Sequence, residues 1–395
     1  METAVVFGAG NIGRGLAGRI LTEAGFTVSF IDVNDKLNKL INLHHSYPLY
    51  ITKGNEYEMH TIRNVSAIDG KDISAICDIT DEAKIAATAV GVNALKYIIP
   101  TIATIIKHRY KNKNTGYLNF ILCENMIDVH AYVRTMLKDQ LSSEENEYAD
   151  KYIGFCQSSI GCMVPSPPAE LLEKNPLTVC VEDYNKIYTD MDGSRGDFPE
   201  IENILPYSPF SYYINRKLFM HNMSHCVCAY WGYQKGYTYI WEAINDEEIR
   251  AKVSRALEET SSALSIHYGT EMRELNAHAD DLVKRYGNRL LGDTIARVGA
   301  DPKRKLGRND RLIGAAVFCL ENSIMPTTII ETIPIAFRFD PENDPSAAEV
   351  HSYYTEHGLA ESLKKYSSIS ETDPIFNKIL STASKTAEKP AEKKD

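Results

Sequence analysis

A chain of 395 residues is longer than one ordinary core holds, so the length argues for two domains. The composition, 44% hydrophobic and 24% charged, is that of a globular protein, and a formal net charge of −10 argues against a broad nucleic-acid or anionic-membrane surface. The partner to expect is a small molecule, and a local basic pocket for a small anion stays compatible with the balance.

The opening "METAVVFGAG" enters a strand-like run with no basic stretch ahead of it, so no signal peptide is expected. Residues 4–7, "AVVF", read as a buried strand. "LAGRILTEAGF" has helical spacing, with Gly25 at its end, and "TVSFIDV" is a second strand, which makes a βαβ opening. "YIIPTIATII" is the longest apolar region, but it is short, broken by Pro100, and cannot span a bilayer. Further strands are expected in "AATAVG" (86–91), "LNFILCEN" (118–125) and "LTVCVED" (177–183), with helical patterns between them. This alternation predicts a mostly parallel, doubly wound α/β sheet of Rossmann type.

The pattern changes after about residue 190. "TDMDGSRGDFPE" reads as a linker or domain-crossing loop. From about 208 the chain reads as mostly helical, including "RKLFMHNMSHCVCAYWGY", "DEEIRAKVSRALEETSSALSIHYG" and "NDRLIGAAVFCLENS". The expected domains are 1–206 (Rossmann-type), 207–378 (helical, carrying substrate chemistry) and 379–395 (a disordered Lys/Glu/Ala-rich tail). The eight cysteines form no CxxC pair and read as scattered core residues. A reduced, cytoplasmic protein without disulfides or a thiolate metal site is expected.

The first motif is Gly8-Ala9-Gly10-Asn11-Ile12-Gly13, with a strand before it, a helix after it and Asp32 closing the next strand. Gly8 permits the tight turn, Gly10 admits a pyrophosphate to the backbone, and Gly13 allows helix to pack on strand. The helix N-terminus offers N–H groups to phosphate oxygens. Asp32 suits ribose hydroxyls and repels a 2′-phosphate, so the expected cofactor is NAD. Arg14 reads either as a pyrophosphate shield or as a solvated helix arginine. Thr88 and Val90, at a strand's carboxyl end, are expected to line the cofactor crevice.

The second motif is Lys217-x4-Asn222-x2-His225. On an ideal α-helix these lie at about 0°, 140° and 80°, a broad shared face, with His221 at about 40° as a competing histidine. The set suits carbinol oxidation: a lysine takes the hydroxyl proton, and amide N–H groups stabilise the developing alkoxide. Asn222 is one donor. Asn125, at the predicted carboxyl end of a strand, is the candidate for the second. Spacing alone leaves open a helix whose polar groups merely pair at an interface.

"FGAGNIGRG", "CEN" and "KLFxxNxxH" together resemble the polyol-specific long-chain dehydrogenases, and most of all their shorter, phosphate-specific branch. "RVGADPKRKLGRNDRLIG" (297–314) and "AFRFDPENDPSAAEV" (336–350) resemble the late part of that family. The resemblance implies a Rossmann domain followed by a largely helical one. It places the catalytic lysine on Lys217, the paired asparagines on Asn125 and Asn222, and the histidine on His225. The implied reaction is mannitol 1-phosphate plus NAD to fructose 6-phosphate plus NADH, without a metal.

Two departures bear on the substrate. The family's Asp-Arg pair, in a segment like "DRIVP", is replaced by Gly161 and Cys162, and Ser224 precedes His225 where glycine is expected. A phosphate needs cations, and "KRKLGRNDR" supplies Lys303, Arg304, Lys305, Arg308 and Arg311. Arg304 and Lys305 are preferred as its ligands, then Arg308. Arg216 is placed to depress the pKa of Lys217. The alternatives are a hexuronate (fructuronate or tagaturonate) reductase, a free-polyol dehydrogenase, an NAD-binding regulatory protein without turnover, and a zinc enzyme using His221 and His225.

Overall fold

The computed structural model describes residues 2–387, and the chain divides into two compact units, Met1–Tyr213 and Ile214–Asp395. The first unit is built on an eight-stranded sheet. Its strands are β1 (Thr3–Phe7), β2 (Thr27–Asp32), β5 (Val65–Asp69), β6 (Ile85–Thr88), β7 (Leu118–Leu122), β8 (Ile153–Ile160), β10 (Ile187–Asp190) and β11 (Ile204–Tyr207). Their spatial order is β11-β10-β8-β7-β6-β1-β2-β5, parallel throughout except where β10 meets β8.

Alternate residues of each strand serve opposite layers, the period-2 rule of a sheet covered on both faces. Ala4 and Val6 join Val28 and Phe30 on one side. Val5 and Phe7 join Ile31, Phe120 and Leu122 on the other. From β1 the chain winds outward through β2 and β5, then returns to β6 on the opposite flank. The β1/β6 boundary is therefore the switch point, where a doubly wound sheet opens its crevice. Register aligns the ends there: Phe7 pairs with Thr88, and Thr88 with Leu122.

Two strands escape a reading by strand–helix alternation. β3 (Ser46–Lys53) and β4 (Glu56–Arg63) form a hairpin whose turn uses Gly54 at positive φ, as a tight two-residue turn demands. The expected strand in "LTVCVED" exists as β9 (Val179–Glu182), but it pairs with β3 in this separate three-stranded sheet. "TDMDGSRGDFPE" is not a linker. Gly193 carbonyl accepts from Phe155 N–H and Asn119 accepts from Arg195 N–H, so the loop is pinned to the sheet. The first unit runs on to Tyr213 because β11 pairs with β10 and Tyr213 stacks on Tyr188 at 4.4 Å.

The second unit is helical. Its centre is a continuous run from a π-helical turn, Lys217–Asn222, into the helix Met223–Gln234, which is buried on all sides from Met223 to Gly232 except at His225. The helix Glu247–Tyr268 packs along it, capped by the Asp246 carboxylate and ended by Gly269 at φ 70°. Residues 379–387 of the expected tail lie in the helix Phe376–Ala387, while 388–395 lie outside the described residues. All eight cysteines are free and buried, as small core residues.

A Cβ on Gly13 would run into the Gly8 carbonyl, whereas one on Gly10 would meet no protein atom within 4 Å. Gly13→Ala should therefore lower stability by about 1–3 kcal/mol in chemical denaturation without cofactor. Gly10→Ala should stay within about 0.5 kcal/mol. Equal losses would contradict this packing.

Candidate active site

The glycine loop follows β1 directly. Gly8 sits at φ 96°, a region side chains avoid, and its Cα faces the Ala89 carbonyl so closely that no Cβ fits. Ala9 is buried, and its N–H is taken by Asp32 Oδ2 at 2.7 Å. Asn34 N–H takes Oδ1 at 2.9 Å. The carboxylate at the end of β2 is thus aimed by two backbone donors and keeps lone pairs for further donors. Gly10 is exposed and half-buried Asn11 and Ile12 begin the helix. A backbone open at Gly10, a helix start and an oriented carboxylate fit a dinucleotide.

Arg14 has neither role expected of it. It is buried, donates from Nε to the Ala9 carbonyl at 2.7 Å and from Nη1 to the Leu177 carbonyl, and so braces the loop from beneath. Tyr47 donates its hydroxyl to the Arg14 carbonyl at 2.6 Å. Thr88 is also corrected. It is fully buried and its hydroxyl goes to Glu124 Oε2 at 2.5 Å, so its side chain does not line the crevice. Glu124 Oε1 accepts from Val90 N–H at 3.1 Å. Glu124 is the residue that motif reasoning passed over inside "CEN". Burial pushes its pKa up against the pull of these donors, and it ties the ends of β6 and β7 together. Val90 stays half-buried at that edge, and Asn125 is exposed just beyond β7.

In the helical unit, burial separates the polar residues. From 217 to 225, Leu218, Phe219, Met220, His221, Met223 and Ser224 are all buried, and the three that are not are Lys217, Asn222 and His225. Met223 N–H bonds back to the Leu218 carbonyl, five residues earlier. That widened turn brings residues five apart close to eclipsing, so Lys217 and Asn222 lie nearer in angle than on the ideal α-helix.

His221, the competing histidine, is the more buried of the two. It is buried, and burial pushes its pKa well below the ordinary value. His225 stacks flat on Tyr286, with centroids 4.6 Å apart and planes at 6°. Ser224, the departure before His225, is fully buried and bonds the Met220 carbonyl at 2.6 Å and the Tyr286 hydroxyl at 2.9 Å. The helix packing absorbs it. Arg216 is buried with Nη1 3.7 Å from Glu274, toward the helix Met272–Tyr286. Among the described residues no group of three or more His, Cys, Asp or Glu is placed to hold a metal ion.

The cations of the basic segment are paired within the helical unit. Arg304 bonds Asp301 at 2.9 Å and Asp310 at 3.3 Å, and Arg308 bonds Asp373 at 2.8 Å and the Ser368 carbonyl at 2.9 Å. Lys303 pairs with Glu349 at 2.9 Å and Arg311 with Asp310 at 2.7 Å. Lys305 is buried and donates to the Val298 carbonyl at 2.5 Å. Each of these cations thus has a carboxylate or carbonyl partner. The place of the family's Asp-Arg pair is tight as well: a Cβ on Gly161 would approach the Tyr184 ring at 3.3 Å, and Cys162 is buried in the apolar layer.

Comparison with known proteins bears on both units. The family model of the mannitol dehydrogenase Rossmann domain matches residues 2–203, and that of the mannitol dehydrogenase C-terminal domain matches 210–390. A mannitol-1-phosphate 5-dehydrogenase of Thermoanaerobacter pseudethanolicus is 33% identical over 380 residues, which is 96% of this chain and 97% of the relative. The fold is similar to that of a substrate-free D-sorbitol dehydrogenase, with TM-score 0.81, 14% identity and coverage of 98% and 93% of the two chains. It is also similar to a Pseudomonas fluorescens mannitol 2-dehydrogenase solved with NAD and D-mannitol, with TM-score 0.70, 13% identity and coverage of 98% and 95%.

Burial lowers the Lys305 pKa to about 8. Between about pH 8 and its ordinary value near 10.5 the unfolded chain binds the extra proton, so stability should rise with pH across that window. Relative to Lys305→Met, the native protein should gain stability from about pH 8 to about pH 10 in denaturation titrations. Parallel curves would contradict a lysine buried at the cost of its charge.

Proposed function

The chain belongs to the mannitol dehydrogenase family, and from that premise we propose that it is an NAD-dependent oxidoreductase interconverting a sugar-alcohol phosphate and a keto-sugar phosphate. The pair proposed is mannitol 1-phosphate and fructose 6-phosphate. One observation carries the reading: in a stretch otherwise buried from 217 to 225, Lys217, Asn222 and His225 alone stay half-buried. The substrate assignment is supported by the relative's 33% identity over nearly the whole chain.

Bound NAD supplies the hydride acceptor. Lys217, as the neutral amine, takes the carbinol hydroxyl proton; in the reverse direction its ammonium returns a proton to the carbonyl oxygen. Asn222 donates an amide N–H group to that oxygen as charge builds on it. His225 hydrogen-bonds the substrate beside the reacting carbon. Gly8 to Gly13 hold the pyrophosphate, Asp32 accepts from the adenosine ribose, and Val90 borders the nicotinamide side of the crevice.

A second reading is favoured by the paired state of Arg304 and Arg308 and by the loss of the Asp-Arg pair at Gly161 and Cys162. It is the same hydride chemistry on a hexuronate or a free polyol.

With fructose 6-phosphate, the native protein should oxidise NADH in an absorbance assay. Lys217→Ala should lose at least ~10²-fold in kcat while still binding NADH. A native protein that binds NADH and leaves fructose 6-phosphate untouched would move the substrate to fructuronate, tagaturonate or fructose, tested in the same assay. Asp32→Ser should narrow the preference for NADH over NADPH by about tenfold, the scale of one lost charge repulsion and hydrogen bond. An unchanged preference would remove Asp32 from the ribose site.

A further inference from the structure

We propose that Asp293 is a positioning residue that holds His225 with its proton on Nε2 and its lone pair on Nδ1. The proposal rests on the reading of His225 as a substrate-facing group and adds the residue that orients it.

Asp293 follows Gly292, whose φ of 59° turns the chain toward the helix Ile295–Gly299. Its carbonyl accepts from Ile240 N–H at 2.9 Å, so its backbone is anchored independently of its side chain. One carboxylate oxygen, Oδ1, is bound by Arg297. The other, Oδ2, lies 3.4 Å from His225 Nε2, with the two side chains 11% and 13% exposed. Both facing atoms are fully buried, and neither makes a hydrogen bond in this structure, to the other or to any other group. Two complementary atoms buried at this separation are each other's recourse, and such contacts tighten when a site fills.

The proton's place follows from chemistry. Burial works against the Asp293 carboxylate, but His225 and Arg297 outweigh it and hold its pKa below the ordinary value. Burial, only partly offset by Asp293, pushes the His225 pKa down. The pair is therefore an ionised carboxylate beside a neutral imidazole. A carboxylate only accepts, so Nε2 must carry the hydrogen, and Nδ1 of the neutral ring must be an acceptor. Tyr286 cannot do this work. Its flat stack restrains the ring plane but is indifferent to a half-turn about Cβ–Cγ, which keeps the plane and exchanges the ring nitrogens with carbons. Asp293 distinguishes the two orientations. His225 then meets the substrate as an acceptor, taking a hydrogen bond from a hydroxyl or from the Lys217 ammonium. The other charges near the ring, Arg297, Lys305 and His221, sit on the surrounding helices and do not alter which nitrogen faces the carboxylate.

The test is nitrogen-15 NMR of the full chain labelled at histidine. Eleven histidines contribute, so the His225 resonances are those lost in His225→Gln. The expected result is a protonated Nε2 and a pyridine-type Nδ1 in the native protein. A protonated Nδ1 in the native spectrum overturns the proposal, and a folded His225→Gln is needed only to assign the resonances. In fructose 6-phosphate reduction, Asp293→Asn should lower kcat by about 10- to 100-fold, less than loss of a direct acid or base. NADH affinity should be unchanged, and Asp293→Glu should recover part of kcat. A folded Asp293→Asn with native kcat overturns it too. A native protein inert toward every polyol yet carrying the Nε2–H tautomer would sink the dehydrogenase reading while upholding Asp293 as the group that orients His225.

Discussion

The π-helical turn Lys217–Asn222, where Met223 N–H reaches back to the Leu218 carbonyl, sets the geometry of the proposed Lys217, Asn222 and His225 face. An unbroken α-helix would spread Lys217 and Asn222 over about 140° of its circumference. In a helix buried on nearly every side, such a spread would force one of the two into apolar packing, where a lysine or a carboxamide without partners is strongly disfavoured. The i→i+5 turn removes that conflict. It gathers both side chains onto one seam and lets the residues between them stay in the core. His225, three further along in regular α-helix, completes the seam from the next turn.

The nucleotide end is governed by a similar economy of buried polar groups. Asp32 holds Ala9 N–H, Arg14 holds the Ala9 carbonyl, and Glu124 holds Thr88 and Val90. Each of these backbone segments is therefore fixed by a charged side chain, and Arg14 and Glu124 are buried beneath the segments they hold. This explains why Gly10 is free to be exposed: the turn's shape does not depend on what binds above it. It also explains the distribution of charge. Arg14 and Glu124 are expensive to bury, and each is retained where several backbone groups at the crevice need one partner.

Much of this was legible in the residues. The glycine spacing, Asp32 at the end of the second strand and the helical second half all follow from local patterning, because parallel strands and buried helices write their burial directly into apolar runs. The polar trio was legible as a pattern, but its coherence was not, since an α-helical wheel could not anticipate a π turn. Arg14 and Glu124 were missed for one shared reason. Motif logic assigns charged residues near a cofactor to the ligand, whereas here the backbone of a distant segment, Leu177 or Val90, is the partner, and sequence distance hides it. The β3–β4 hairpin carries its signal in Gly54-Asn55, but alternating strand–helix logic leaves no place for a second sheet.

The basic segment shows most sharply why composition alone misleads about an anion site. Five cations within nine residues look like a phosphate cradle, yet Asp301 and Asp310 from the same segment, Glu349 from the helix Pro345–Ser367 and Asp373 from the turn beyond it meet four of them. An arginine bound to a carboxylate must give up that partner to take a phosphate, so the net gain is a difference between two similar interactions rather than a new one. The fifth, Lys305, is committed inward to a carbonyl and has lost part of its basicity. The segment is better understood as the clasp that fixes the loop against its neighbouring helices. For these four cations to take a phosphate, a carboxylate partner has to be displaced on binding. That arrangement would make discrimination between phosphate and carboxylate substrates shallow, which is why a sugar phosphate and a hexuronate remain chemically adjacent for this site.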